Sequence, residues 1–95
     1  MFSKIVRWRV FFTGRVQHVG FRYTAYYFAR DFQLTGWVFN MKDGRVEIEV
    51  QGTIINIRRF ILKLKSQPNI HIEHMDIETV SSIPFEHQFK VIGYD

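Results

Sequence analysis

The stretch from Gly14 to Arg22, Gly-Arg-Val-Gln-His-Val-Gly-Phe-Arg, contains the residues best suited to chemistry. It follows the apolar run 10–12, which indicates a strand, and leads into a helical pattern that begins near Phe21. In such a turn the backbone N–H groups converge on one concavity, and the helix dipole adds partial positive charge there. The guanidinium of Arg22 matches a phosphate or carboxylate with two parallel hydrogen bonds. The stretch therefore predicts a cradle for an anion, with a cation beside it.

A second candidate, Asn40, stands late in the apolar segment 36–41. Asparagine is a poor strand former, so its position has two interpretations. It either starts the hairpin turn that follows, or its amide holds a water or a substrate oxygen through its donor and acceptor. The sequence alone leaves both open.

The histidines are weaker candidates. His71, His74 and His87 lie in or near predicted strands without a ligand-spaced carboxylate or cysteine, which argues against a zinc site. His18 lies inside the cradle and could act as a general acid or base. A role in loop shape is favoured, because histidine tolerates a left-handed backbone better than most non-glycine residues.

Composition limits the class of protein. The 95 residues, 46% of them hydrophobic, predict one folded domain over residues 1–95. The absence of cysteine excludes disulfides, thiolate metal sites and cysteine nucleophiles. A formal net charge of +4 favours an anionic partner, either nucleic acid or a small phosphorylated molecule.

The distribution of apolar residues indicates a location. Charges interrupt the N-terminal segment 1–9, which therefore lacks the apolar stretch of a signal peptide. No apolar run approaches the roughly 20 residues needed to span a bilayer. We expect a cytoplasmic protein with no membrane partner.

Hydrophobic periodicity predicts seven elements. The predicted strands cover 5–13, 36–41, 45–51, 70–80 and 85–92, and the helices cover 21–34 and about 54–66. The order β-α-β-β-α-β with one further strand predicts an α+β fold, the ferredoxin-like split βαβ sandwich. Two helices then pack on one face of a mostly antiparallel sheet of four to five strands.

Several residues predict where the elements end. Gly36 is a plausible stop for the first helix, and Asp43-Gly44 is a hairpin signal. Thr53 is a good N-cap for the second helix. The alternation slips between Ile72 and Met75, which predicts a bulge or a late start in that strand.

Two arginines share one face of the first strand. Arg7 and Arg9 alternate with Trp8 and would lie opposite it. The favoured interpretation is a solvated outer face of the sheet, and the alternative is a basic patch for nucleic acid.

Two segments of the chain resemble the signatures of a known family. The stretch Gly14–Arg22 resembles the first signature of the acylphosphatase family, Gly-x-Val-Gln-x-Val-x-Phe-Arg. The segment 36–40, Gly-Trp-Val-Phe-Asn, followed by Gly-Arg-Val-Glu at 44–47 and by Gly52, resembles the second. Both occur in the right order, and the predicted elements fit the family fold over essentially the whole chain.

The resemblance implies an enzyme that hydrolyses the carboxyl–phosphate bond of acyl phosphates, with no cofactor, metal or covalent enzyme intermediate. It implies that Arg22 and Asn40 are the catalytic residues and that Asn40 orients the attacking water. The phosphoryl group would be bound by Arg22 and by the loop residues Arg15, Val16, Gln17, His18, Val19 and Gly20. We expect a small acyl phosphate as the partner, no nucleic acid, and a monomer.

Two positions depart from the family pattern. His18 stands where the family commonly has glycine, and a positive φ there would cost on the order of 1 kcal/mol. Phe39 stands where the residue is often basic or polar. These departures bear on substrate preference and rate more than on the type of reaction.

Two other functions are compatible with parts of the sequence. Ferredoxin-like domains include RNA-binding modules, but this chain lacks the aromatic run that they place on the sheet, and Glu47 and Glu49 would repel phosphate. A related domain could serve as a regulatory element within carbamoyl-transfer machinery. The 95-residue chain brings no partner domain, which disfavours that interpretation.

Overall fold

The chain forms two layers, a five-stranded sheet and a pair of helices. The computed structural model describes residues 4–93. Its elements are β1 (Ile5–Arg15), α1 (Phe21–Asp31), β2 (Thr35–Asn40), β3 (Val46–Thr53), α2 (Ile54–Lys65), β4 (His71–Val80) and β5 (Phe89–Ile92). The strand order is β4-β1-β3-β2-β5. All neighbours are antiparallel except β5, which runs parallel to β2. The predicted ferredoxin-like α+β class is confirmed.

The core lies between the sheet and the helices. Alternate residues of the central strands are fully buried, as a period of two requires of a sheet with one covered face. On the helical side the apolar residues at three-and-four spacing are buried as well. The buried residues of these elements include Val10, Phe12, Val46, Ile48, Val50, Ala25, Ala29, Ile57, Phe60, Ile61 and Leu64.

No helix within residues 4–93 is long and apolar enough to cross a membrane. The signal-peptide prediction depends in part on residues 1–3, which lie outside the described residues.

The second helix and the irregular strand follow the sequence signals. Thr53 is the N-cap of α2, and its side-chain oxygen accepts a hydrogen bond of 3.3 Å from the backbone N–H of Asn56. In the β1–β4 pair, Thr13 lies opposite His74 whereas the next residue, Gly14, lies opposite Ile72. Strand β4 therefore contains one residue more than β1 between these two pairs. This residue lies between Ile72 and Met75, where the sequence predicts a bulge, so the irregularity is confirmed.

The end of the first helix was predicted wrongly. Helix α1 ends at Asp31, and Gln33 adopts a left-handed backbone with φ 56°. The N–H of Leu34 then donates to the Ala29 carbonyl at 2.8 Å, which closes the helix end. Gly36 belongs to β2, where a Cβ would overlap the carbonyl oxygen of Glu49. That glycine is explained by the close approach of β3 rather than by helix termination.

The last strand is shorter than predicted. Strand β5 begins at Phe89 instead of Phe85, which is 90% exposed and has a φ of 62°. Two hydrogen bonds hold the preceding segment to β3: Gln51 donates to the Ile83 carbonyl at 3.0 Å and accepts from the Ile83 N–H at 2.8 Å. The prediction that the strand starts at Phe85 is therefore wrong.

The outer face of the sheet corrects the interpretation of the two arginines. Arg7 is only 1% exposed, and its guanidinium bonds Glu49 at 2.7 Å and Glu86 at 2.8 Å. Arg9 bonds the second oxygen of Glu49 at 2.7 Å and lies 3.2 Å from Glu78. The predicted solvated face is therefore wrong for Arg7. Carboxylates neutralise both cations, so this face is not a basic patch.

Candidate active site

The loop 16–20 connects β1 to α1 at one end of the sheet. Gly20 is the N-cap of α1 in a left-handed conformation (φ 77°, ψ 17°), and no side chain caps the helix. The first turn carries no acidic residue. The partial positive charge at the N-terminus of α1 is therefore not compensated by a side chain of the first turn, and it favours an anion beside the loop.

The backbone N–H groups of the loop point to the same use. None of the N–H groups of Gln17, His18, Val19 and Gly20 donates to another group within residues 4–93. In strands and helices such N–H groups are normally paired with carbonyl groups. An N–H group that is buried without a hydrogen-bond partner costs free energy. Successive unpaired N–H groups in a turn form the concavity that binds anions.

His18 has the backbone conformation that its position predicted. Its φ is 62°, in the left-handed region, and its side chain is exposed. A non-glycine residue pays on the order of 1 kcal/mol for this conformation. The turn of the loop at His18 therefore carries this energetic cost.

One small cavity brings the predicted groups together. It has a volume of about 100 Å³ and is lined by Val16, His18, Gly20, Phe21, Arg22, Tyr23 and Asn40. Arg22 is buried, with 8% of its surface exposed. A cavity this small suits the phosphoryl end of a substrate rather than a whole organic molecule.

Asn40 reaches this cavity because it ends β2 on the face covered by the helices. It lies two residues after the buried Val38 and opposite the buried Val46. Its Oδ1 is buried and has no hydrogen-bond partner among the described residues. The hairpin turn is closed by backbone bonds, with the Met41 N–H donating to the Arg45 carbonyl at 2.9 Å. The Asn40 side chain is therefore not used by the turn, which removes the main reason for the turn-starting interpretation.

The side chain of Gln17 points to the hairpin. Its Nε2 donates to the carbonyls of Met41 at 2.7 Å and Arg45 at 2.9 Å. These bonds fix the loop against the hairpin that carries Asn40. Gln17 can therefore serve the substrate only through its backbone. Sequence reasoning missed this positioning role, because the spacing of residues along the chain does not show where the Gln17 side chain points.

Like Gln17, two further predicted binding residues do not line the cavity. Arg15 is exposed at the end of β1, opposite His71. Val19 is half-buried, and its carbonyl accepts a hydrogen bond of 2.5 Å from the side-chain Nδ2 of Asn69. Asn69 lies 50 residues away in the sequence, and no motif indicated it.

Other surface features lack this convergence. A larger groove of about 770 Å³ lies between α1 and β5, and it contains neither Arg22 nor Asn40. Within residues 4–93, no group of three or more histidine or carboxylate side chains could hold a metal ion. His74 instead pairs with Asp76 at 3.0 Å on the surface.

The comparisons with known proteins identify the family. A sequence model of the acylphosphatase family matches residues 8–91. The acylphosphatase of Lactobacillus gasseri is 42% identical over 82 residues, which cover 84% of this chain and 90% of that protein. The chain belongs to the acylphosphatase family. Members of this family are hydrolases that act on acyl phosphates, so the predicted enzyme class is confirmed.

Solved acylphosphatase structures have the same fold. The crystal structure of acylphosphatase from Bacillus subtilis has a TM-score of 0.85 and 32% identity, and the match covers 93% of this chain and 99% of that chain. Full-length HypF, in its phosphate- and nucleotide-bound form, matches with a TM-score of 0.85 and 29% identity. That match covers 98% of this chain and 12% of the HypF chain, so the acylphosphatase fold also occurs inside a longer protein.

Proposed function

We propose that the cavity at the start of α1 hydrolyses acyl phosphates without a cofactor. Water attacks phosphorus, the bond from phosphorus to the acyl oxygen breaks, and the products are a carboxylate and inorganic phosphate. One observation carries the proposal: loop residues, the buried Arg22 and Asn40 line a single cavity, and the side-chain oxygen of Asn40 has no hydrogen-bond partner among the described residues.

The loop and Arg22 bind the phosphoryl group. The unpaired N–H groups of loop residues 17–20 and the uncapped end of α1 supply donors that need no rearrangement when the anion enters. Arg22 adds a positive charge that is worth more in a buried site than in water. The transition state of phosphoryl transfer is loose and spreads its charge over three oxygens, so fixed donors stabilise it without a protein nucleophile.

Asn40 orients the attacking water. Its buried Oδ1 accepts a hydrogen bond from the water and so satisfies an acceptor that the protein leaves unpaired. This bond aims a lone pair of the water oxygen toward phosphorus. Positioning of this kind accounts for a large part of the rate acceleration in reactions between two molecules, here water and the substrate.

A phosphoryl oxygen of the substrate accepts the proton of the water. The residues that line the cavity include no carboxylate. His18 also lines it, but its exposed side chain and its left-handed backbone suit a role in loop shape. Transfer to the phosphate balances the reaction without a protein base, and dihydrogen phosphate leaves with the carboxylate.

Hydrolysis of benzoyl phosphate tests the proposal. Wild type, Arg22→Ala and the control Arg59→Ala, which removes an exposed arginine of α2, are assayed side by side with and without a chelator. We expect turnover by wild type and by Arg59→Ala that survives the chelator, and a loss of about a hundredfold or more in Arg22→Ala. Loss of wild-type turnover on chelation would refute the metal-free mechanism. Equal rates in the two variants would refute the role of Arg22.

A further inference from the structure

The connection between α2 and β4 is hydrogen-bonded to the loop 16–20. Asn69 stands in this connection, and its Nδ2 donates to the carbonyl oxygen of Val19 at 2.5 Å. The bond joins two segments that are 50 residues apart, and both side chains lie outside the cavity lining. Asn69 therefore contacts the backbone of the loop and does not itself line the cavity.

This bond fixes the orientation of one peptide group. A trans peptide is planar, and its C=O and N–H point in opposite directions. Asn69 does not line the cavity, so the Val19 carbonyl that it binds is expected to point away from the cavity. The N–H of the same peptide, which belongs to Gly20, is then expected to point toward it. Gly20 lines the cavity, and its N–H donates to no other group within residues 4–93.

We propose that Asn69 is a positioning residue that keeps the Gly20 N–H directed at the phosphoryl group. The inference rests on the proposed function. Gly20 has a φ of 77°, and a glycine reaches many backbone conformations at little cost. Without an anchor the 19–20 peptide can rotate and present its carbonyl oxygen to the anion, which repels it.

The loop is thus held from two sides. Gln17 fastens it to the hairpin between β2 and β3, and Asn69 fastens it to the connection before β4. The first attachment places the loop beside Asn40, whereas the second orients an N–H donor. The two attachments therefore have separable kinetic effects.

Phosphate inhibition is the first test. In Asn69→Ala we expect the inhibition constant for inorganic phosphate and the KM for benzoyl phosphate to rise about two- to tenfold, the range of one neutral hydrogen bond. The matched control is Asn56→Ala in α2, which begins at the opposite end of the sheet from the loop. Asn69→Gln keeps an amide donor and restores most of the affinity. Unchanged constants in Asn69→Ala, or no rescue by Asn69→Gln, would overturn the proposal.

The backbone amide signal of Gly20 is the second, direct test. In wild type, titration with inorganic phosphate shifts this signal, and in Asn69→Ala the shift is smaller. The melting temperature should fall by no more than about 10 °C, the range expected for the loss of one hydrogen bond in a domain of this size, so the variant stays folded. An identical shift in both proteins would overturn the role of Asn69 and leave the proposed function intact. A wild type in which no loop amide responds to phosphate would contradict both proposals.

Discussion

The side-chain amide of Gln17 donates a hydrogen bond of 2.7 Å to the carbonyl of Met41, the residue that follows Asn40. A second bond of 2.9 Å joins the same nitrogen to the Arg45 carbonyl on the other strand of the hairpin. The loop that offers N–H donors and the strand that offers the Asn40 amide are therefore fixed to each other. Two parts of the site, formed by separate segments of the chain, behave as one unit.

Removing this link should lower the rate more than it lowers phosphate affinity. In Gln17→Ala, Asn40 is no longer held at a fixed distance from the loop, so we expect kcat to fall about tenfold or more while phosphate inhibition changes less than threefold. Two lost hydrogen bonds should also lower the free energy of unfolding by about 1 to 3 kcal/mol. Steady-state kinetics and urea unfolding measure the two effects.

The control for Gln17 is Gln88→Ala, which changes an exposed glutamine of the segment before β5. It should leave kcat and the unfolding free energy close to wild type. A Gln17→Ala enzyme with wild-type kcat would show that the link does not position Asn40.

The sequence predicted much of this site because its backbone pattern and its polar residues are local. The strand–loop–helix pattern around Gly14–Arg22 and the late position of Asn40 identified segments that the structure brings to one cavity. Sequence spacing could not show that the Gln17 side chain points to the hairpin. It also gave no sign of Asn69, because that contact depends on how α2 returns the chain to the same end of the sheet.

The errors in the fold have the same origin. The sequence position of Arg7 follows the alternation of a solvated strand face, but Glu49 of β3 bonds it at 2.7 Å and the segment after β4 brings Glu86 within 2.8 Å. Gly36 looked like a helix stop, whereas the approach of β3 explains it. In both cases a long-range contact decided the environment of a residue whose local pattern favoured another interpretation.

His18→Gly tests whether the histidine contributes to chemistry or only to the shape of the loop. Glycine relieves the left-handed strain but gains backbone freedom in the unfolded chain, so we expect the unfolding free energy to change by less than about 1 kcal/mol. The kcat for acetyl phosphate should stay within about threefold of wild type, whereas the KM for the bulkier benzoyl phosphate changes because the cavity wall is altered. Kinetics on the two substrates provide the measurement. A fall in kcat of about a hundredfold on both would instead assign proton transfer to His18.

The buried ion pairs on the outer face predict an acid-sensitive fold. Burial favours a higher pKa for the Glu49 carboxyl, but hydrogen bonds from Arg7 and Arg9 outweigh it and hold that pKa below its ordinary value. A lowered carboxyl pKa stabilises the fold above the unfolded-state pKa of about 4.3, and this stability is lost as the pH falls toward the folded-state pKa. The unfolding free energy of wild type should therefore decline below about pH 4.5, as urea unfolding at several pH values would show.

Glu49→Gln removes this contribution. It leaves the buried Arg7 with one carboxylate fewer, and we expect a loss of about 3 kcal/mol at neutral pH with a shallower decline in acid. The matched variant Glu78→Gln changes an exposed partner of Arg9 and should cost about 0.5 kcal/mol or less. Equal costs for the two variants would contradict the assignment of Glu49 as the centre of the network.

The division of labour between binding and water orientation is the central claim, and Asn40→Ala tests it most directly. The turnover of benzoyl phosphate and the inhibition constant for inorganic phosphate are measured on the same preparation, with Asn56→Ala as the control. We expect kcat to fall by about a hundredfold or more while the phosphate inhibition constant stays within about threefold of wild type. If Asn40→Ala instead loses phosphate affinity as steeply as it loses turnover, Asn40 binds the phosphoryl group and the water-orienting role is wrong.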